Sequence, residues 1–122
     1  MIVSNEQPSI KALEQLAANR ILEQQVIERL HDYHLSLTEV FCLECFQKHL
    51  RGNEIADEQR LTRGAISTAT THLLAQRFIA PNGQLRQTDR RFKEYHLTPS
   101  GQRILAEALV CINSIVDASH ED

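Results

Sequence analysis

Apolar residues recur at three- and four-residue steps along two long stretches, one near each end of the chain. This spacing places them on one side of an α-helix and predicts helices over residues 9–33 and 99–118. In both helices the apolar arc is wider than one buried stripe requires. Because a single small domain buries only about two-thirds of its unfolded surface, we expect the two end helices to pair with those of a second copy of this chain.

Three shorter helices are predicted after the first long one. Ser36 and Glu39 have the spacing of a capping box, and the helix that they begin is expected to stop at Gly52. A short third helix is expected over residues 53–59. Thr62 has the character of an N-cap, and the fourth helix that follows it has a predicted inward stripe of Ile66, Ala69, Thr70 and Leu73.

A turn and a strand separate the fourth helix from the last one. Pro81-Asn82-Gly83 is a turn signal, and the alternation around Tyr95 and Leu97 predicts a half-buried strand. Thr98-Pro99 is typical of a cap followed by proline at the first helical position. The length of 122 residues fits one domain. The order of elements predicts a mainly α fold with a small β-ribbon, in which residues 36–98 form the central part.

Charge is distributed unevenly along the chain. The formal net charge is −3, yet residues 60–96 hold seven basic and two acidic side chains, whereas residues 1–59 hold five and ten. A basic block between acidic ends is typical of a protein that presents one face to phosphates and keeps the rest soluble. A solvated basic surface would have the same composition, so the charge alone leaves both interpretations open.

The stretch that begins at Asp89 resembles the wing signature of the MarR family, an Asp-x-Arg followed by Leu-Thr-x-x-Gly, at Asp89, Arg91, Leu97, Thr98 and Gly101. Residues 35–46 resemble the family's second helix, and residues 55–67 its helix-turn-helix. The resemblance covers nearly the whole chain. It implies a winged helix-turn-helix with N- and C-terminal dimerisation helices, and a homodimeric transcriptional regulator that binds a pseudo-palindromic site in double-stranded DNA. It also implies control by a small-molecule effector or an oxidant.

The chain departs from the family pattern at several places. Gln59 stands where the family usually has a buried leucine, and Arg77 stands where a glycine normally ends the recognition helix. Since a non-glycine residue in a left-handed conformation costs about 1 kcal/mol, we expect an altered turn at Arg77. The wing is about two residues longer than usual, and the part that forms the dimer is expected to be abridged.

The candidate DNA-binding residues fall into two groups. On the outward face of the fourth helix, Arg63 can contact guanine or phosphate. Three short polar side chains can let the helix sit deep in the major groove, namely Ser67, Thr68 and Thr71, and His72 is a further candidate on the same face. In the wing, Arg90 and Arg91 are expected to enter the minor groove, Asp89 to orient an arginine, and Arg86 and Lys93 to contact phosphates. For each residue the alternative is a solvated surface side chain.

Other chemistry has weaker support in the sequence. Cys42 and Cys45 share a helix face with His49, which could make a thiol switch or part of a metal site, but apolar neighbours favour core packing. The same holds for Cys111, and His31 and His34 are expected to be solvated turn residues. We expect no metal, no cofactor and no enzymatic activity, since no nucleophile-base pair or phosphate-binding glycine loop is present.

Two further expectations concern location and an alternative function. Residues 1–8 have no signal-peptide pattern, and no apolar run approaches the roughly 18 residues that span a bilayer, so we expect a cytoplasmic protein with no membrane partner. The alternative is a winged-helix module that binds and antagonises another regulator without binding DNA. The two functions differ in whether the basic block over residues 60–96 meets phosphates.

Overall fold

The computed structural model describes residues 8–83 and 94–119. Within these residues the chain forms five α-helices, one 3₁₀ turn at His31–Tyr33 and one two-stranded sheet. The elements, in chain order, are α1 Pro8–Leu30, α2 Leu37–Gln47, α3 Gly52–Gln59, α4 Arg63–Ala75, β1 Ile79–Pro81, β2 Tyr95–Leu97 and α5 Pro99–Ser119. The predicted order of four helices, a β-ribbon and a last helix is confirmed.

Helix α2 lies at the centre of the core because its residues are apolar on most sides. It contacts α4, β2 and α5, and its Leu43 and Phe46 are almost completely buried. The centroids of the Phe46 ring and of the Tyr95 ring in β2 are 5.3 Å apart, and the two ring planes are tilted by 59°. Aromatic pairs favour this arrangement. Strand β2 pairs antiparallel with β1, and Ile79 lies opposite Leu97. The sheet is thereby held against the helical core.

Helices α1 and α5 contact each other and form a second layer. Only the end of α1 enters the core, where Val26 and Leu30 are buried. The first part of α1 exposes large apolar side chains, with exposed fractions of 46% to 64%: Ile10, Leu13, Leu16 and Ile21. The wide apolar arc predicted for this helix therefore remains uncovered in one chain.

The prediction that α2 continues to Gly52 is wrong. The helix ends at Gln47, and His49 takes the left-handed conformation at φ 69°. The Leu50 N–H then bonds to the Cys45 carbonyl at 3.1 Å, which closes the helix end as a Schellman turn does. Gly52 instead begins α3. A capping turn does not require glycine when the next residue is apolar and packs back on the helix.

The expected change of the turn at Arg77 does not occur. Arg77 adopts φ 63°, so it takes the left-handed conformation that a glycine would take. Its N–H bonds to the Leu74 carbonyl and the Phe78 N–H bonds to the Leu73 carbonyl, both at 3.0 Å. The end of α4 therefore keeps the usual geometry and bears the conformational cost of a non-glycine residue.

Candidate nucleic-acid interface

The two faces of α4 differ as the sequence predicts. Thr62 caps the helix, since its hydroxyl oxygen accepts a hydrogen bond from the Ala65 N–H at 3.0 Å. All four residues of the predicted inward stripe are buried, namely Ile66, Ala69, Thr70 and Leu73. The opposite face is exposed and carries one guanidinium and three hydroxyls: Arg63, Ser67, Thr68 and Thr71. Its first turns thus present short polar side chains on a helix whose other side is fixed in the core.

His72, another member of the candidate set, is tied to helix α2 by a side-chain contact. Its Nδ1 is hydrogen-bonded to Oε2 of Glu39 on α2, and its Nε2 lies 3.1 Å from Nε2 of Gln76. The His72 side chain is 46% exposed, whereas that of Glu39 is only 8% exposed. Sequence reasoning assigned Glu39 to the cap of α2 alone. No sequence signal pairs residues 33 positions apart.

The wing residues Arg86, Asp89, Arg90, Arg91 and Lys93 lie outside the described residues. Their proposed contacts therefore stay predictions.

The described part of the ribbon includes its stem. There the Asn82 N–H bonds to the Glu94 carbonyl at 2.8 Å, and the Asn82 amide oxygen lies 2.5 Å from Nδ1 of His96. The Arg51 guanidinium donates to Oε2 of Glu94 at 2.9 and 3.1 Å. This pair connects the stem to the start of α3. Because both side chains are nearly half exposed, it contributes little to stability and serves mainly to orient the stem.

A cavity of about 310 Å³ lies between α3, α4 and β2. Its walls are mainly apolar and include the rings of Phe46 and Tyr95, while Arg63 and Ser67 from α4 also line it. Asn53 contributes a buried Oδ1 that has no hydrogen-bond partner among the described residues. A buried acceptor without a donor is costly. The mainly apolar walls of the cavity can contact an apolar or aromatic small molecule.

The cysteines of α2 are fully buried. Burial raises the pKa of the Cys42 thiol to about 12, with smaller contributions from Cys45 and Glu39. Burial also raises the pKa of the Cys45 thiol. A hydrogen bond from the Gln59 amide to Sγ of Cys45, at 3.7 Å, lowers this pKa by a smaller amount. The reactive form of cysteine is the thiolate, so both thiols have the environment of packing residues.

Metal clusters and membrane helices are both absent from residues 8–83 and 94–119. In that part of the chain no three His, Cys, Asp or Glu side chains are arranged to hold a metal ion. None of its helices is both long enough and apolar enough to cross a bilayer.

The fold has many solved counterparts, although no family model and no curated sequence matches this chain. Staphylococcus aureus MarR, in complex with salicylate and kanamycin, superposes with a TM-score of 0.79 at 17% identity, over 93% of this chain and 76% of that one. The regulator BldR from Sulfolobus solfataricus gives 0.77 at 20% identity, over 95% and 84%. AbsC, a MarR family regulator from Streptomyces coelicolor, gives 0.77 at 15% identity, over 98% and 82%.

These neighbours define the architecture of the chain. Its fold is the winged helix-turn-helix of transcriptional regulators, with α3 and α4 as the helix-turn-helix and β1 and β2 as the stem of the wing. More narrowly, it is the fold of the MarR-type regulators, including the long helices before and after the winged helix. The superpositions establish this shared architecture, at sequence identities of 15% to 20%.

Proposed function

We propose that this chain is a MarR-family transcriptional regulator that binds a pseudo-palindromic site in duplex DNA as a homodimer and catalyses no reaction. The observation that carries the proposal is the outward face of α4, where Arg63, Ser67, Thr68 and Thr71 are exposed above a buried inward stripe. In helix-turn-helix proteins the N-terminal part of this helix enters the major groove, and short polar side chains permit close approach to base edges.

The charge distribution supports the same function. Residues 60–96 hold seven basic side chains against two acidic ones, although the whole chain has a net charge of −3. Within this block we assign Arg90 and Arg91 to the minor groove, with Asp89 as the residue that orients an arginine. Arg86 and Lys93 are assigned to phosphates, where they add affinity without sequence preference.

The homodimer is proposed from the exposed apolar side of α1. Leu13 and Ile21 have exposed fractions of 64% and 61%, and α1 and α5 enclose an open groove that is lined by Ile21, Leu22 and Ile115. Soluble monomers rarely expose such a contiguous apolar surface. A twofold partner would cover it with the same surface, and would place two recognition helices about one helical turn of DNA apart.

An effector is proposed for the cavity between α3, α4 and β2. Arg63 lines this cavity and also belongs to the DNA-facing set, so an anionic ligand there would compete with DNA for the same guanidinium. S. aureus MarR was solved with salicylate, an aromatic anion with a hydroxyl donor. We therefore expect salicylate to weaken DNA binding by the wild-type chain and to have less effect on Asn53→Leu, which changes a side chain of the cavity wall. Equal inhibition of both chains would exclude this cavity.

The proposed function is tested by separating the two faces of α4. Leu73 is completely buried, so Leu73→Ala should lower the free energy of unfolding by roughly 2–4 kcal/mol. Arg63→Ala and Thr68→Ala alter exposed side chains. Both variants should leave the melting temperature nearly unchanged. Specific binding should weaken by about 1–3 kcal/mol for each contact between a side chain and a base that is lost. The measurements are thermal melts and titrations with a duplex that the wild-type chain selects from a randomised pool.

The outcomes distinguish the two functional hypotheses. If Arg63→Ala or Thr68→Ala unfolds the protein, the helix faces the opposite way. If both variants fold and bind the selected duplex like the wild type, α4 does not read DNA. If the wild type selects no duplex at any salt concentration, the alternative of a protein-binding module replaces the DNA-binding function.

A further inference from the structure

Glu39 is the buried charged side chain of the described residues, with an exposed fraction of 6%. Burial of a carboxylate is costly unless its oxygens are hydrogen-bonded. Here each oxygen has its own partner. Oε1 accepts from the Ser36 N–H at 2.9 Å, which closes the capping box of α2, and Oε2 meets Nδ1 of His72 on α4. One carboxylate therefore joins the first turn of α2 to the recognition helix.

The contact defines how the His72 ring is held. An ionised carboxylate only accepts hydrogen bonds, so Nδ1 carries the proton that it donates to Glu39. The opposite ring nitrogen, Nε2, lies 3.1 Å from the amide nitrogen of Gln76 and accepts from it. Both edges of the ring are thus engaged. His72 follows Thr68 by one helical turn, so the fixed ring borders the exposed DNA-facing side of α4.

We infer that Glu39 is a positioning residue for DNA recognition, which touches no DNA itself but fixes the His72 ring and, through it, the outward face of α4 relative to α2. The inference rests on the proposed DNA-binding function. A helix cap of this kind needs only one carboxylate oxygen and no burial. At the start of α3, for example, Oε1 of Glu54 accepts from the Arg51 N–H at 2.8 Å while Glu54 stays exposed. The second oxygen of Glu39, directed at α4, is what distinguishes the two caps.

The variant Glu39→Gln separates positioning from capping. Its amide oxygen can still accept from the Ser36 N–H, but its amide nitrogen then faces Nδ1 of His72. Because that nitrogen donates, Nδ1 must lose its proton and become an acceptor. The proton then moves to Nε2, and the Gln76 amide turns its oxygen toward Nε2 to accept it. The shape of the site is kept while the direction of the hydrogen bonds through His72 is reversed. Glu54→Gln is the matched control, since it changes an N3 capping carboxylate that has no link to α4.

The first readout needs no DNA. Long-range proton–nitrogen NMR spectra of the ¹⁵N-labelled full chain report which ring nitrogen of His72 carries a proton. We expect Nδ1 to be protonated in the wild type and in Glu54→Gln, and Nε2 alone to be protonated in Glu39→Gln. An unprotonated Nδ1 in the wild type would overturn the inference, whatever the protein binds.

The second readout is affinity for a duplex that the wild type selects from a randomised pool. We expect Glu39→Gln and His72→Ala each to weaken binding about tenfold, and the double variant to bind no more weakly than either, because both act through one contact. Glu54→Gln should bind like the wild type. If Glu39→Gln binds normally, or weakens binding further in the His72→Ala background, the positioning role is refuted.

Two results keep this test separate from the proposed function. If the wild type selects no duplex, the DNA-binding proposal and the positioning role fail together, while the tautomer result still reports the contact. If Glu39→Gln does not fold, His72→Ala and His72→Gln decide the matter, since the glutamine amide can again donate to Glu39. We expect His72→Gln to bind almost as tightly as the wild type, and normal binding by His72→Ala would refute the inference.

Discussion

Among residues 8–83 and 94–119, four helical segments end on a left-handed residue that is not glycine. The residues are His34, His49, Arg60 and Arg77, with φ between 56° and 69°. Each is exposed and is followed by an apolar residue that packs back toward the core. The two arginines among them carry a positive charge near a helix C-terminus, which is favourable and opposes the conformational cost of a left-handed residue.

The conformational cost at these positions can be measured at Arg77. Arg77→Gly should raise the free energy of unfolding by about 0.5–1 kcal/mol, because glycine adopts the left-handed conformation without steric penalty but loses more entropy on folding. Urea unfolding curves give the change. Ala75→Gly, two residues earlier in the last turn of α4, is the control and should lower stability. Destabilisation by Arg77→Gly would mean that the guanidinium stabilises the turn more than glycine can.

At the scale of elements, the end of α4 and the start of α5 form one joint. The Thr98 hydroxyl donates to the Arg77 carbonyl at 2.7 Å and accepts from the Gly101 N–H at 3.0 Å, while the Thr98 N–H bonds to the Phe78 carbonyl. A Cβ on Gly101 would lie 1.9 Å from that same carbonyl oxygen. The Leu-Thr-x-x-Gly pattern therefore encodes a cap and a close backbone approach.

Gly101→Ala should disrupt this joint. The added methyl group meets backbone rather than a flexible side chain, so we expect the free energy of unfolding to fall by at least about 2 kcal/mol. Gly64→Ala is the matched control, because its Cβ would have only the Thr62 hydroxyl oxygen near it, at 3.9 Å. The control should unfold at the same urea concentration as the wild type or higher. Equal stability of Gly101→Ala and wild type would show that the joint can open without cost.

At the scale of the whole molecule, the described residues form a winged-helix part that buries its own core and a first helix, α1, whose first half does not reach that core. The core cluster runs from α2 through β2 and includes the inward residues of α4 and α5. The first half of α1 has no buried residue from Ile10 to Ile21. A chain with this distribution has a well-packed winged helix but an uncovered apolar surface, which is the reason for proposing a second copy.

The homodimer is tested by Leu13→Glu, which introduces a charge at a side chain that is 64% exposed in one chain. If a second copy covers this surface, the buried charge is unfavourable and the variant should be monomeric in light scattering coupled to gel filtration. Gln24→Glu adds the same charge at an exposed polar position of α1 and should remain dimeric. A monomeric wild type, or a Leu13→Glu variant that stays dimeric, would show that α1 is not the interface.

The sequence by itself determined the features that depend on neighbours along the chain. Helical periodicity and the Thr62 cap predicted both the start of α4 and its buried stripe, because one face of a helix is set by residues three and four positions apart. The same local rules predicted the Ser36 cap and the extent of the last helix. They failed at Gly52, since the end of α2 is decided by how Leu50 packs after His49.

Only the tertiary structure decided which distant residues meet. Glu39 and His72 are 33 positions apart, and Arg51 and Glu94 are 43 positions apart. Each pair exists because α2, α3, α4 and the ribbon stem pack on one shared core, and such packing has no period in the sequence. The cavity beside Asn53 arises in the same way, from the gap that three packed elements leave. Local patterns specify elements, whereas the contacts between elements arise only when the core forms.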